Sequence, residues 1–453
     1  MHFSRSLFLA FALACTAPAF AQLNSPYSRI GLGNIYTPTM GGSMGLAGAT
    51  GANLLTTEIS AQNPATYCYL FKSVLDVGIS GRFLTLDDGT ETFTSGEGNL
   101  SHLAFGFSPD NNFSKHDWGF STGILPVSTS QYNIEQTTAS ADTLLGDLMS
   151  QYTGTGGLFK YFVGLSYGLE FNKDTLVTLN KKGEADSSRF YRNEFSIGMN
   201  YEYLFGSIYN TTIASFPDQV NSVDTKYQRQ TSMQGGGIRA GITYQRRVGR
   251  VNNLNAGASF APGLDLRGTQ SVSWFNINQF GTIQQITDTL YYAPDVAGTI
   301  TTAPELNIGL AFNNYRQRSI DSVKFHVTAE FSYQDWSKYA GFLYSDSLAS
   351  MYRIKVGAEV IPPRRDEVGK SLIPIIYRAG FYYGTSYLVI DGQQLTEFGM
   401  TFGTGIPMRG SRVNLAVGFS QRGAAGLIRE NYVNLQAGFN ISDYNWFIKR
   451  KQN

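Results

Sequence analysis

The chain has 453 residues, room for several ordinary soluble domains or for one large barrel. Its 35 Lys and Arg against 34 Asp and Glu leave a net charge of +1, which removes any electrostatic case for nucleic acid. Only 15% of residues are charged, while 49 glycines and 14% aromatics are abundant; this excludes a disordered chain and suits many strands joined by tight turns.

Residues 1–21 read as an export signal. His2 and Arg5 precede an apolar run from Ser6 to Cys15, and Ala19-Phe20-Ala21 supplies the small-x-small cleavage site. The run is too short for a membrane span, and Ala12 stands where a lipoprotein signal ending at Cys15 would favour Leu. Cleavage leaves Cys68 as the sole cysteine, so there is neither an intramolecular disulfide nor a thiolate metal site. No later segment offers 18 uninterrupted apolar residues, so a membrane can be crossed only by a barrel.

Residues 22–72 do not alternate. They are rich in small residues, with Gly45-Leu46-Ala47-Gly48-Ala49 followed by Asn63-Pro64-Ala65. Such composition permits close backbone approach and tight turns, and suits either a periplasmic linker or a plug in a lumen.

From residue 73 to 442 one pattern recurs. Val323, Phe325, Val327, Ala329, Phe331 and Tyr333 alternate with Lys324, His326, Thr328, Glu330, Ser332 and Gln334; 159–171, 194–205 and 411–420 repeat the design. Period two separates a greasy face from a wet one. Such runs fall near 75–86, 102–108, 116–125, 159–171, 194–205, 237–246, 253–261, 305–313, 323–335, 351–360, 376–385, 397–406, 411–420 and 432–441, which makes fourteen. Most have about the 9–11 residues that a tilted membrane strand needs. The polar face carries glycines and mid-strand charges while the apolar face is continuous, so the greasy rows are expected to face lipid. Trp118, Trp336, Tyr339 and Tyr352 fit aromatic girdles. The odd gaps 87–101, 126–158, 206–236, 262–304, 336–350, 386–396 and 421–431 are longer on the whole than the even ones, 172–193 excepted. Long outer loops and short periplasmic turns give that alternation. The expected fold is an all-β transmembrane antiparallel barrel of about 14 strands with an N-terminal hatch in its lumen.

Residues 443–453 form a basic tail. The chain runs past Trp446-Phe447 into Ile448-Lys449-Arg450-Lys451-Gln452-Asn453, expected to be a solvated periplasmic end. Enzyme chemistry is not expected: the four His have no metal-site spacing and there is no phosphate loop or nucleophile elbow. No metal or cofactor is expected either. On the wet face, Arg353 and Lys355 sit one strand from Arg378, with Arg412 two strands further. This wall either receives a ligand carboxylate, its tail against Met40, Met44 and Leu46, or pairs with Glu330, Glu359 and hatch groups.

The Gly/Ala run, the Asn63-Pro64-Ala65 element, the plug-sized leader and the strand count resemble the FadL family of outer-membrane hydrophobic-compound channels. That resemblance implies a hatch in which Gly45, Gly48, Asn63, Pro64 and Ala65 help to close the lumen. It implies passive transport of long-chain fatty acids or other hydrophobic small molecules across the Gram-negative outer membrane, with lipid around the barrel. Many outer-membrane barrels end on an aromatic residue read during assembly, from which this tail departs. The resemblance also leaves open a structural role, as partner of a secreted or export-machinery protein in the manner of type IX secretion, or as a surface adhesin. The gaps 126–158, 206–236 and 262–304 suit such a role.

Overall fold

The computed structural model describes residues 24–443, apart from 38, 55–56, 71–72, 110–114, 140–145, 180–184, 218, 220–222, 250, 281–282, 317–318, 343–345, 364–372 and 409–410. The expected signal and all of the tail beyond Asp443 lie outside the described residues. Two-residue periodicity extends the backbone, and each strand then needs neighbours on both sides for its N–H and C=O groups. The described strands meet that need in one sheet of eighteen. In chain order they are β1 (Asn34–Ile35), β2 (Ser73–Asp87), β3 (Thr92–Phe107), β4 (His116–Thr129), β5 (Tyr132–Thr138), β6 (Leu148–Leu179), β7 (Ala185–Ser215), β8 (Asp224–Val248) and β9 (Asn252–Ala261). There follow β10 (Asp265–Phe280), β11 (Ile283–Thr301), β12 (Glu305–Arg316), β13 (Ser319–Gln334), β14 (Met351–Val360), β15 (Ile376–Ile390), β16 (Gln393–Met408), β17 (Ser411–Gly423) and β18 (Arg429–Asp443).

Fourteen of these close a barrel, in the order β2-β3-β4-β6-β7-β8-β9-β12-β13-β14-β15-β16-β17-β18. β18 zips onto β2 from Arg429↔Asp87 to Asp443↔Ser73, so no edge remains there. They are the fourteen alternating runs of the sequence. The other four are additions: β1 lies against β4, β5 extends β6, and the β10–β11 hairpin joins β8. β8 forks, bonding β10 from Asp224 to Gln234 and β9 from Ala240 to Val248. The end carrying β5 and this hairpin is taken as the outer end, since long elaborations face outward.

The alternation has the expected sidedness. On β14 Val356 is 45% exposed while neighbouring Lys355 is 2% exposed; Ile354 and Val360 face out, and Glu359 faces in. On β13 Val327 and Phe331 face out, with His326, Thr328 and Glu330 buried. A continuous apolar exterior with a polar interior is what lipid stabilises. No helix among the described residues is long and apolar enough to cross a membrane.

Three expectations need correction. The outer gaps 87–101, 386–396 and 421–431 are largely strand, because the ladder runs on to tight turns. Asp391-Gly392, with φ of 49° and 75°, is one of these. The gap 262–304 contains β10 and β11, whose side chains do not alternate cleanly because the hairpin does not cross lipid. Trp336 and Tyr339 are not girdle residues: the chain turns inward after β13, and Trp336 packs on Tyr387 and Tyr339 in an internal cluster. Trp118 and Tyr352 do face outward.

Residues 24–70 thread the lumen from the outer end to the periplasmic end. Asn24 N donates to Ser95 Oγ and the Ser25 hydroxyl to Glu430, near the outer turns. Three short 3-10 turns follow: Pro26–Arg29, Ser43–Leu46 and Pro64–Tyr69. The wall makes room for this backbone with lumen-facing glycines. A Cβ at Gly119 would lie 2.2 Å from Tyr67 C, one at Gly198 2.4 Å from Pro64 C, one at Gly257 2.1 Å from Gly51 O, and one at Gly380 2.5 Å from Ala47 N. Met40, Ile59, Tyr67 and Leu70 then bury themselves on Val74, Leu125 and Phe162, each worth about 1.5–3 kcal/mol.

Cys68 reports on this seat. It is 5% exposed, and burial first, then the nearby Glu194, pushes its thiol up to about 12. Replacing Gly119 by Val drives a side chain into backbone that cannot step aside. The Gly119→Val barrel is expected to keep its heat-modifiable gel mobility yet expose Cys68 to maleimide, whereas the parent labels only after denaturation. Equal labelling of both folded proteins would show that the hatch does not need a bare wall.

Candidate functional site

The lumen is closed by a laced interface between hatch and wall. Its polar centre is Glu330 on β13. One carboxylate oxygen accepts from the backbone N–H groups of Thr50 and Gly51 at 2.8 and 2.6 Å. The other accepts from Gln62 Nε2 and Lys355 Nζ at 2.9 and 2.7 Å. The second centre is Glu58, one of two charged residues between 22 and 70, the other being Arg29. It meets Arg378 Nη2 at 2.9 Å and Arg412 Nη1 at 3.3 Å, while Arg378 Nε also bonds Glu359 at 2.5 Å. Burial holds the Glu58 carboxyl above its ordinary value, and the two guanidiniums, Arg378 first, offset part of that.

The four wall cations singled out by the sequence all face the lumen and all meet carboxylates. Arg353 bonds Glu397 at 2.8 Å and also reaches Thr37 of the hatch; Lys355, Arg378 and Arg412 pair as above. Arg378, Lys355 and Arg412 lie under the hatch, and Arg353 alone of the four lines the cavity beside Met40 and Met44. The predicted hatch residues meet the wall at two separate places, Gly45 against β15 and β16 and Asn63-Pro64-Ala65 against β7 and β8. Asn63 Oδ1 accepts from Ala65 N, capping the turn that Pro64 begins, and Asn63 Nδ2 donates to Gly51 O and to Ile242 O of β8. Gly45 abuts Arg378 and Gly403, and Gly48, at φ 73°, ends the Ser43–Leu46 turn.

Sequence reasoning missed the outer half of the site. Tyr36, Arg82, Glu97 and Arg422 stood in segments without alternation or were passed over; only the isolation of Glu58 in an uncharged stretch could have marked that residue. Arg422 pairs with Glu430 and donates to Asn34 of β1 at 2.7 Å. Arg82 lies over the Tyr36 ring at 4.5 Å.

These residues surround a cavity of about 160 Å³ between the hatch and β2, β3 and β16–β18. Its lining mixes Met40, Met44 and Leu125 with Arg82, Arg353 and Arg422, a combination suited to an amphipathic small molecule. The wall beside it is incompletely paired. β3 and β4 bond only from Leu103↔Ile124 to Phe107↔Phe120, although each runs on toward the outer end. Pro126 has no N–H to offer a neighbour, and the ladder to β6 shifts register between Pro126 and Ser128. There β4 turns its free edge to the hatch: Thr129 and Ser128 pair with Asn34 and Ile35, and Tyr36 N donates to Val127 O at 2.9 Å. Tyr36 reaches across the seam, its hydroxyl bonding Glu97 at 2.8 Å and accepting from Asn99 at 3.3 Å, and Asn24-Ser25 do so further out, with Asn24 N donating to Ser95 Oγ and Ser25 N to Gln131 O. Asn99, Ser101, Leu125 and Pro126 border both seam and cavity.

The comparisons with known proteins agree with this architecture. The family model described as BamG matches residues 3–180 and 188–453. The chain is similar in structure to the Ralstonia pickettii toluene transporter TbuX, with a TM-score of 0.51 at 13% identity, covering 90% of this chain and 98% of that one. It also matches the CymD monoaromatic hydrocarbon channel (TM-score 0.49, 10% identity, 92% and 99% covered) and a Pseudomonas aeruginosa FadL homologue (0.48, 10%, 90% and 98%). At these identities the likeness is one of fold, a FadL-like barrel. Curated proteins gave no match.

The asymmetry around Glu330 predicts unequal mutants. Lys355→Met leaves the carboxylate its three hatch donors, whereas Glu330→Met strands a buried ammonium whose one remaining partner among the described residues is Gly48 O at 3.4 Å. Glu330→Met is expected to cost about 3–5 kcal/mol and Lys355→Met clearly less, read from urea unfolding in detergent. The reverse order would remove Glu330 as the organiser of the hatch.

Proposed function

The chain belongs to the BamG family, and from that premise, together with a hatch-filled lumen and an unzipped seam, we propose that it is an outer-membrane barrel that passes small hydrophobic or amphipathic molecules. On this reading it is exported by its first 21 residues, with cleavage after Ala21. A molecule enters from the outer end, rests in the cavity beside Met40 and Met44, and leaves sideways between β3 and β4 when the Tyr36 contacts yield. The unpaired seam beside the cavity is the observation that carries this reading, because a closed wall would need no such break. A lateral route also spares the molecule a passage through the ion pairs beneath, each costly to part. The 160 Å³ cavity favours a compact ligand over a fully extended long-chain fatty acid, and its lining of Arg82, Arg353 and Arg422 beside Glu97 and Glu397 suits one with a polar end. The toluene transport named for TbuX supports the class of ligand.

A second reading has its own support. Hatch and wall are laced along the whole lumen, and β6 and β7, at 32 and 31 residues, are about three times the length lipid requires. A barrel built this way also serves as a scaffold, with its function in the outer sheet and its partner a secreted or export-machinery protein.

Ser420, which lines the cavity, separates the two. Ser420→Trp fills that space from the wall beside Tyr382, away from the Glu330 and Glu58 centres of the lacing. Cells carrying it are expected to lose most accumulation of radiolabelled toluene and of a medium-chain fatty acid relative to the parent, with barrel level and heat-modifiability unchanged. Undiminished accumulation of both would refute transport through this cavity and leave the scaffold.

A further inference from the structure

We infer that the outer vestibule of the barrel binds a carboxylate-bearing oligosaccharide, laid along a row of aromatic rings above a cationic cavity. The inference goes beyond either reading above, because the site is neither the cavity beside Met40 nor the seam. A second cavity, of about 520 Å³, lies at the outer end between the Pro26–Arg29 turn, β7, β8, β10 and residues 339–346. Its charged lining is Arg29, Arg229 and Asp346, two cations against one carboxylate. Asp346 is already engaged, accepting from Gly31 N at 2.6 Å. Neither guanidinium makes an ion pair among the described residues, and the buried Nε–H of Arg229 finds no acceptor there. Burial raises the Tyr132 phenol and both arginines offset part of that, so the two cations stand within electrostatic reach of one hydroxyl.

The sheet above this cavity carries its aromatics in file. Ile134↔Tyr152, Tyr152↔Thr212, Thr212↔Tyr227, Tyr227↔Trp274 and Trp274↔Tyr291 are successive cross-strand partners from β5 to β11. Directly opposed residues share a face, so these side chains form one row across the sheet. That face looks onto the hatch, since Arg29 lies over the Tyr152 ring at 4.5 Å. It is also the face of the cavity, because Asn210 and Arg229, two residues on from Thr212 and Tyr227, line it. Tyr227 and Trp274 meet edge to face at 6.0 Å. Trp274 and Tyr291 stay open to a ligand, at 47% and 52% exposed. With strands about 4.8 Å apart, the row from Tyr152 to Tyr291 runs roughly 19 Å.

Polar side chains border the row on both sides. Beyond it lie Gln136, Ser150, Thr225 and Asn276; toward the barrel lie Asn210, Thr231 and Gln270. A sugar ring has the matching layout, an apolar C–H face edged by hydroxyls. The face stacks on an aromatic ring, and the edge needs the donors and acceptors alongside. A hydrocarbon would strip water from these amides and hydroxyls and give no bond in return. The length of the row suits several sugars in a chain rather than one. The two guanidiniums then select an acid, since Arg holds a carboxylate through paired donors. Unlike the cations under the hatch, these two have no carboxylate of the protein to displace.

The test uses the full chain purified in lauryldimethylamine oxide, a detergent without a sugar headgroup. It is titrated calorimetrically with tetragalacturonate, with neutral maltotetraose and with laurate. Tetragalacturonate is expected to bind saturably and at least about tenfold tighter than maltotetraose. Arg29→Gln with Arg229→Gln is expected to erase that difference, and Trp274→Ala to weaken both saccharides by a similar factor, each barrel keeping its heat-modifiable mobility. Ser420→Trp, which fills the other cavity, is expected to bind tetragalacturonate as the parent does, so the result stands apart from the fate of transport. No saturable binding of tetragalacturonate, equal affinity for the two saccharides, or an acid preference that survives loss of both arginines overturns the inference. So does loss of tetragalacturonate binding in Ser420→Trp, which would move the ligand to the inner cavity. Laurate binding as tightly, with the same dependence on the arginines, overturns it as well, because the vestibule would then be a stage for amphipathic cargo.

Discussion

The structure depends on the approach of one backbone to another: the hatch lies flush on a barrel wall that is bare where they touch. Gly119, Gly198, Gly241, Gly257, Gly309, Gly357 and Gly380 come from seven different strands, and at each an added Cβ would fall within 3 Å of the hatch. Ordinary contact needs 3.5–4 Å between carbons, so any larger residue would hold the hatch off the wall. Close approach in turn brings hatch amides within hydrogen-bond reach of wall side chains. Glu330 can take the N–H groups of Thr50 and Gly51 only because that turn sits directly on β9 and β12. Buried carboxylates and cations would otherwise be a liability in an enclosed lumen. Here each of the main ones is met by the hatch or by a neighbour across the strands.

The seam follows from the same contact. β4 cannot pair with both β3 and the hatch along one edge, and above Ile124 it pairs with the hatch. The break in the wall is therefore the geometric consequence of admitting β1, with Pro126 placed where a ladder donor is no longer required. Above Ile124 it is closed by hatch contacts to β3, from Tyr36 and Asn24, rather than by a β3–β4 ladder. Each such bond is worth about 1 kcal/mol, so beyond its five bonded pairs the outer part of this junction is held more weakly than a full ladder would hold it.

Much of this was legible in the sequence because lipid imposes a strict rule. A strand that crosses it must alternate, and β9 and β14 were readable nearly to the residue, β2, β12 and β18 to within three. The rule lapses once the chain leaves lipid, which is why the outer parts of β3, β6, β7 and β8 and the whole β10–β11 hairpin read as loops. Thr92 to Ser101 has one large aromatic and no alternation, yet it continues β3 because β2 offers it a full ladder. The ligand-facing half of the lumen was hidden for a different reason. Tyr36, Glu97 and Arg422 are brought together by the hatch, whose path through the barrel leaves no periodicity in sequence. Glycines, by contrast, were visible as a wet-face peculiarity, and their use as a seat required the hatch coordinates.

The hatch also constrains how the barrel can be built. Its seat is distributed around the circumference, and it bonds both sides of the closing junction. Asn440 of β18 donates to Thr57 O and Gln436 to Thr39 O, while Tyr36 and Asn24 engage β3. The Ser25 hydroxyl and Tyr27 reach Glu430 and Ile428 at the outer end of β18. A leader threaded after closure would have to pass side chains already drawn inward, among them Arg378, Lys355 and Arg422, whose partners it supplies or orders. Seating it first lets each strand add to a template, with β18 arriving last on a surface that already presents acceptors for Asn440 and Gln436. The N-terminal segment thus ties both sides of the closing junction together as well as filling the lumen over nearly its whole height.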